Sequence, residues 1–449
     1  MLRVLLVACW AALSACTGEA TPLPGPDGSQ PGLDASIADA AVLRDAGSVD
    51  AAVVNDAGPV DAGASALDAS TSPDADTAPH DAAPAPDTGA LVWSGPIVIT
   101  QGGTYTGNWE SQTATVPAVE IRTTAPVVIE GANLRSRSDL IYSDGFAIHL
   151  TVRESRGAAL NPKAKDVLIG RFLMVTKFAS VAVSNCYLEG TGGIQVAHWA
   201  GSAAKGETVR ILQNRARNIA GRRGDGSGGL TFVDDGEYRQ FFQLVESDGL
   251  PDAEVGWNEV VNEVGASRVE DNVSIYKSSG TAAAPIRIHD NYIFGAFPLD
   301  PVHEPFSGGG IMAADVSGGF VVAQANQVIG TTNYGVACSA GHDVHLIGNR
   351  VVSSGLLPDG AHRLKQDGDV GLYIWNANKD GSWANNDGSS NTLGWRGGDL
   401  VRNDSYTPDA ASFTTVHAMP EPVTLQTEAA ELTRWQQKLG QNGVFVGPH

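Results

Sequence analysis

Short runs of alternating apolar and polar residues recur through the second half of the chain, and each run leads into an asparagine followed by a second run. Ile286-Arg287-Ile288-His289-Asp290-Asn291-Tyr292-Ile293 is echoed by Val321-Val322-Ala323-Gln324-Ala325-Asn326-Gln327-Val328 and by Val344-His345-Leu346-Ile347-Gly348-Asn349-Arg350-Val351. The same asparagine follows Val181-Ala182-Val183-Ser184 as Asn185, Ile211-Leu212-Gln213 as Asn214, and Val255-Gly256-Trp257 as Asn258. Intervals of 29, 44, 33, 35 and 23 residues separate these asparagines, so the shortest sets the unit and the others carry insertions. That is a repeat architecture with variable loops.

A second series interleaves with the first. Ile194-Gln195-Val196-Ala197-His198, Leu230-Thr231-Phe232-Val233-Asp234, Val273-Ser274-Ile275-Tyr276-Lys277, Ile311-Met312-Ala313-Ala314-Asp315, Val336-Ala337-Cys338-Ser339-Ala340 and Leu372-Tyr373-Ile374-Trp375-Asn376 align without gaps. Their first and third positions are apolar throughout, the period-two mark of a strand with one buried face. A short repeat of this kind cannot bury its apolar side alone, whereas stacked copies make a continuous core. The pattern predicts an all-β parallel solenoid. Its asparagines would sit at turns, where the left-handed conformation is tolerated, and their stacked amides would bond along the axis at roughly 1 kcal/mol each. From Ile97 to about Tyr406 the chain resembles the right-handed parallel β-helix proteins of the pectin-lyase-like superfamily.

Beyond Tyr406 the alternation ends, and Thr427 reads as the N-cap of a helix to Leu439 with Leu432, Trp435 and Leu439 on one face. Such a helix would pack against the solenoid or cover an end, because an open last rung exposes sheet edges. The ordered unit is thus read as a β-helix over residues 90–410 with a C-terminal extension over 411–449.

The start of the chain has a different character. Met1 to Cys16 reads as an export signal, with Arg3 ahead of the apolar run Val4 to Leu13. Leu13-Ser14-Ala15-Cys16 resembles a bacterial lipobox, which implies cleavage before Cys16, lipidation of that residue and a place in the cell envelope, by anchoring or, with an ordinary signal, by secretion. Residues 17–89 repeat Asp-Ala pairs and hold few large apolar side chains, so they cannot bury enough surface to offset ordering and are read as a disordered tether. The tether holds 13 acidic residues against Arg44, a large part of the net charge of −21. The balance opposes a nucleic-acid partner, which demands a basic stripe. Cys186 and Cys338 are the cysteines left for the folded part, and their different places in the repeat oppose a disulfide.

Candidate chemistry gathers at the fifth position of the second series, which holds His198, Asp234, Lys277, Asp315, Ala340 and Asn376. Rungs about 4.8 Å apart would bring Asp234, Lys277 and Asp315 into consecutive register. Gln195, Tyr276, Tyr373 and Trp375 would face outward beside them, where aromatic faces stack on sugar rings. With His198 and Asn376 they form the expected substrate-binding set, and Asp234, Lys277 and Asp315 the expected catalytic set. A solvated ion-pair ladder is the competing account of the same column.

A polysaccharide lyase needs a base for the proton α to a uronate carboxylate, and a cation or Ca²⁺ to neutralise that carboxylate. Flanking carboxylates raise the pKa of Lys277, which suits it to neutralising charge. A hydrolase needs two carboxyl groups, and Asp234 and Asp315 two rungs apart would be separated by about 9.6 Å, near the limit for inversion. Neither the polygalacturonase nor the pectate lyase motif set is assembled, so the resemblance assigns no catalytic residue. Glu263, Glu270 and Asp271 are further acids without a place in the pattern. The sequence reading is a monomeric, lipid-anchored β-helix acting on a polysaccharide by lysis or hydrolysis, with a non-catalytic carbohydrate-binding or adhesive solenoid as the alternative. No metal site is expected from Cys and His spacing, and Ca²⁺ stays open as the one cofactor.

Overall fold

The computed structural model describes residues 91–231, 239–297, 300–303, 308–364, 370–408 and 412–449. Cys16, Asp234 and the tether therefore lie outside the described residues.

Each coil contributes three short strands, as in Ile194–Ala197, Val209–Leu212 and Arg215–Arg217. Successive coils pair in parallel on three faces, so the fold is a parallel β-helix. The first face aligns Ile194, Phe242, Val273, Ile311, Val336 and Leu372. The second aligns Ile211, Val255, Ile288, Ala323 and Leu346. On the third, Ala216, Val260, Ile293, Val328, Val351 and Leu393 fall in register within an 11-stranded sheet. These residues point inward and form one core that runs the length of the solenoid. The 16-residue strand Gly309–Gln324 passes through a corner and joins the first face to the second.

At the corner between the second and third faces the asparagines form a continuous chain of amides. Nδ2 of Asn214 donates to Oδ1 of Asn258, and the same bond links Asn258 to Asn291, Asn291 to Asn326, Asn326 to Asn349 and Asn349 to Asn391, all at 2.9–3.1 Å. Each Nδ2 also donates to a backbone carbonyl of the preceding coil, as from Asn291 to Val255 at 2.9 Å. Each Oδ1 accepts the backbone N–H of the previous asparagine, as from Asn258 to Asn291 at 3.0 Å. Inside the core this satisfies donors and acceptors that would otherwise be stranded.

Two expectations are corrected here. The left-handed residue is the one before each ladder asparagine: Gln213, Trp257, Asp290, Ala325, Gly348 and Ser390 all have φ between 56° and 62°, save Ala325 at 54°. Asn185 is itself such a residue, with φ 49°, and Cys186 takes the ladder position, its N–H donating to Asn214 Oδ1 at 3.0 Å. Asn391 is the member that the sequence reading missed. Cys186 and Cys338 are buried free thiols, and burial pushes each up to about 12.

The C-terminal helix spans Leu425–Asn442, and its N-cap is Thr424 in place of Thr427. Thr424 and Thr427 exchange a capping box in which each side chain bonds the other's backbone N–H. The helix lies along the outer side of the third face. There Val261, Tyr292, Ile329 and Val352 face outward and meet Met419, Val423 and Trp435 in a second apolar cluster. Glu431 receives both nitrogens of Arg350 at 2.7 Å.

Replacing Asn291 by Ala strands amides on both sides and is expected to lower the unfolding free energy by roughly 3 kcal/mol. Asn185→Ala, outside the amide chain, should cost only about 1 kcal/mol, from its left-handed turn and its bonds to the C-terminal segment. Denaturant unfolding of the two variants separates them, and equal losses would contradict the ladder as described.

Candidate functional site

The expected column does not assemble as the sequence suggested. Leu230–Thr231 pairs antiparallel with Arg223–Gly224 as a small ribbon outside the first face. Its expected place in the first face is held by Phe242–Val245, which pairs with Ile194–Ala197 on one side and with Val273 to Tyr276 on the other. Glu246 is consequently the residue between His198 and Lys277 at the corner, and all three have positive φ. A signal for this existed: Leu230 stands 28 residues before Asn258, whereas the strand-to-asparagine interval is 20 from Ile194 to Asn214, 16 from Phe242 to Asn258 and 13 from Val336 to Asn349.

Lys277 Nζ lies 3.5 Å from Glu246 Oε1, and His198 Nδ1 lies 3.7 Å from Glu246 Oε2. These side chains are 38–42% exposed, so this part of the column is the solvated ion-pair ladder. Desolvation pulls the Lys277 ammonium down, but bonding to Tyr276 and the charge of Glu246 carry it above its ordinary value, as expected of a charge neutraliser. Tyr276 also lies under that ammonium, 5.1 Å from ring centroid to Nζ.

Asp315 is displaced from register with Lys277. A bulge between Met312 and Asp315 adds a residue, so Asp315 pairs opposite Tyr276. Its Oδ1 accepts from Ser339 Oγ at 3.2 Å and from Asn378 Nδ2 at 3.3 Å. Asn376 is held within its own loop by both backbone groups of Asp380. Trp375 meets Tyr406 edge to face at 5.7 Å, and Tyr373 meets Tyr334 in the same way at 5.2 Å. Gln195 stays partly exposed in the first face between Met174 and Gln243. The structure thus brings Asp315 and Tyr373 toward one centre and leaves His198 and Lys277 on the corner.

That centre is built from residues just ahead of the first-face strands. Arg171 precedes Leu173–Val175, Arg239 and Gln240 precede Phe242–Val245, Glu270 and Asp271 open Asp271–Ser279, and Tyr334 opens Tyr334–Cys338. Arg171, Gln240, Asp271 and Tyr334 stand at equivalent places, with Arg239 and Glu270 one residue ahead, so stacking lines them along the axis. Gln240 Nε2 donates to Glu270 Oε2 at 2.6 Å, and Tyr334 Oη donates to Asp271 Oδ1. Gly309 lies between those two coils, and a Cβ there would stand 2.4 Å from the Tyr334 ring and 2.6 Å from Asp271 Oδ1. Only glycine lets the phenol reach the carboxyl. Gly192 plays the matching part among the arginines, since its absent Cβ leaves room for Arg239 Nε and the Arg171 side chain. Arg171 Nη1 is itself aimed at the Gly192 carbonyl at 3.0 Å.

Burial dominates the electrostatics. It raises the Glu270 carboxyl to about 7, with the charge of Asp315 adding to the rise while Gln240 and Arg171 oppose it. Burial also lifts Asp271 well above the ordinary carboxylate range, and Glu270 and Asp315 reinforce that against the Tyr334 bond. Tyr334 is driven well above its usual value by burial and then by Asp271, so it keeps its proton. The centre therefore holds one carboxyl poised near neutrality, one held well above the ordinary carboxylate range and a phenol positioned to donate. Among the described residues, no three His, Cys, Asp or Glu side chains are arranged to hold a metal ion. Sequence reasoning noted Glu270 and Asp271 but could not place them; Gly308-Gly309-Gly310, one coil further on, was the available mark of a close approach.

No family model matches the chain, and no curated protein matches it. Similar solved structures include a mannuronic acid-specific polysaccharide family 6 lyase from the human gut microbiota, at 11% identity over 79% of this chain and 91% of that one, with a TM-score of 0.38. A point mutant of the periplasmic alginate epimerase AlgG is 12% identical over 70% of this chain and 79% of its own, with a TM-score of 0.35. A further structure of AlgG gives 10% identity, coverage of 70% and 78%, and a TM-score of 0.28.

Because the folded pKa of Glu270 stands above the unfolded one, its contribution is fully present below about pH 4.5 and is lost as pH rises through about 7. Between pH 5 and 8 the wild type should lose on the order of 2 kcal/mol more unfolding free energy than Glu270→Gln. Denaturant titrations at the two pH values check this, and parallel losses in both proteins would contradict the assignment.

Proposed function

We propose that the protein cleaves an acidic, uronate-containing polysaccharide by β-elimination at the centre formed by Glu270, Asp271, Tyr334 and Arg171. The observation that carries this reading is the Glu270 carboxyl, half-buried and raised to about 7 by desolvation, with a protonated phenol two coils on and an arginine within electrostatic reach. A base works best when its pKa lies near the working pH. Elimination also needs a cation for the uronate carboxylate and an acid for the departing oxygen, and this centre supplies both kinds of group.

In the proposed step ionised Glu270 takes the proton α to the uronate carboxylate, whose growing negative charge is met by Arg171 with Arg239 beside it. The electron pair forms the ring double bond, the bond to the leaving glycosidic oxygen breaks, and that oxygen takes the Tyr334 proton. Asp271, bonded to the phenol, positions Tyr334 and lies next to it as a protonated group for its recovery. Asp315 tunes Glu270 by its charge. Tyr373, Trp375 and Tyr406 offer faces for neighbouring sugars, and Lys277 and His198 offer charge at the corner. Tethering of the solenoid to the envelope through Cys16 belongs to the same proposal and rests on the sequence alone.

The test follows unsaturated uronide absorbance and reducing ends together over a panel of acidic and neutral polysaccharides, with and without Ca²⁺. Unsaturated product is expected from an acidic polymer, with a rate that rises through pH 7 as Glu270 ionises. Glu270→Gln and Tyr334→Phe should each lower kcat by roughly 10²-fold or more. Reducing ends without unsaturated product would establish hydrolysis instead, and retention on a polysaccharide column with neither signal would establish the binding solenoid.

A further inference from the structure

The chain beyond Thr424 is bound to the solenoid in an unusual way: it runs back along the corner occupied by the left-handed residues. In the ladder these residues use their N–H groups between coils, as Ala325 N–H donates to the Ile347 carbonyl and Gln213 N–H to the Gly256 carbonyl. The C-terminal segment supplies donors to their carbonyls. Trp435 Nε1 donates to Asp290 O at 2.8 Å, Lys438 Nζ to Ala325 O at 2.8 Å and Gly447 N–H to Gln213 O at 2.8 Å. Lys438 also stands over the Trp257 ring at 5.5 Å, Asn185 Nδ2 donates to the carbonyls of Phe445 and Gly447, and the His449 N–H donates to Glu154. One segment therefore reads six members of the column, from Ala325 back to Glu154.

The helical half of this segment rests on two buried carboxyls that are treated differently. Glu431 is matched by Arg350 and Gln327. Glu428, 5% exposed, is met by the backbone N–H and hydroxyl of Ser354 and has Gly330 beside it. The titratable and charged groups packed around this interface are Tyr292, Glu259 and Arg217 on the third face, and Glu431 with Arg350. Arg217 is engaged by Glu259 and Arg350 by Glu431, so among the described residues Glu428 has no cation of its own.

We infer that Thr424–His449 is a pH-sensitive strap, whose helix is held on the third face while Glu428 is protonated and loosens as that carboxyl takes up charge. Burial raises Glu428 to about 7, which sets the window. The docked pKa lies above the undocked one, so docking is strongest in acid and weakens as pH climbs toward 7. A second titratable group lies further along, on the solenoid side. His289 sits between Glu254 and Asp290 at 2.8 Å from each, and Asp290 also pairs with Lys438 of the helix. Burial lowers the imidazole but the two carboxylates outweigh it and raise its pKa; the pairs it loses on the alkaline side are within the solenoid and leave Asp290 to Lys438. Arg287 and Arg210 are the other charges around Glu254.

Hydrogen exchange by mass spectrometry on the full chain tests the strap, with intrinsic rates corrected for pH and the Ile286–His289 strand as internal reference. Between pH 5 and 6.5 the protection of helix amides relative to that strand should fall by about tenfold in the wild type. In Glu428→Gln the fall should be less than about twofold, since the carboxyl that takes up charge is gone. A flat wild-type ratio, or an equal fall in Glu428→Gln, overturns the inference. Should the variant not fold, the wild-type ratio alone decides.

Discussion

The chain of buried amides from Asn214 to Asn391 is the constraint on which the rest depends. Each amide can satisfy its neighbours only if the next coil places its own asparagine one rung away, so the ladder fixes the register of the second and third faces together. A coil whose asparagine slipped by one residue would bury several unpaired polar groups at once, at about 1–3 kcal/mol each. Insertions are consequently displaced to the other corners, where loops of different length leave the register intact. The residue ahead of each asparagine must turn left-handed to swing the amide inward, and the same turn presents a carbonyl outward. The core and the docking track of the C-terminal segment are two results of one backbone geometry.

The candidate centre arises at the opposite edge of the coil, ahead of the first face, where no ladder imposes a residue type. Stacking still brings equivalent positions together, so Arg171, Gln240, Asp271 and Tyr334 fall in line although they are far apart in sequence. Gly192 and Gly309 are the steric conditions for this, because side chains at either place would hold the arginines or the Tyr334–Asp271 pair apart. Burying two carboxyls with a third in electrostatic reach is costly, and the centre responds by keeping protons that exposed carboxyls would lose. That concentration of acidic groups around one centre is what marks it as a candidate site.

Much of the fold was legible because its two signals are local and repeat. Alternation of apolar and polar residues gave the strands, and the asparagines gave the coil. What failed did so for physical reasons. Counting along the strand from Ile311 cannot detect the bulge that moves Asp315 beside Tyr276, since an extra residue leaves the apolar pattern readable. Leu230 to Asp234 satisfies the strand rule as well as Phe242 to Glu246 does, and only the distance to Asn258 separates them. Asn185 looks like a ladder residue but occupies the turn place before Cys186, because a buried thiol can fill the position that an amide usually fills. Glu270 and Asp271 precede their strand and belong to no periodic position, so only the glycines of the following coil pointed to them.

The central claim is that two neighbouring carboxyls hold their protons above the ordinary carboxylate range, Glu270 up to about 7 and Asp271 well above its usual value. Infrared spectra of the protonated-carboxyl stretch, taken as differences between the wild type and Glu270→Gln and between the wild type and Asp271→Asn, test it most directly. A Glu270 band that fades through pH 7 and an Asp271 band that persists well above the ordinary carboxylate range are expected. Absence of both bands at pH 6, or a Glu270 band already lost near pH 4.5, would contradict it.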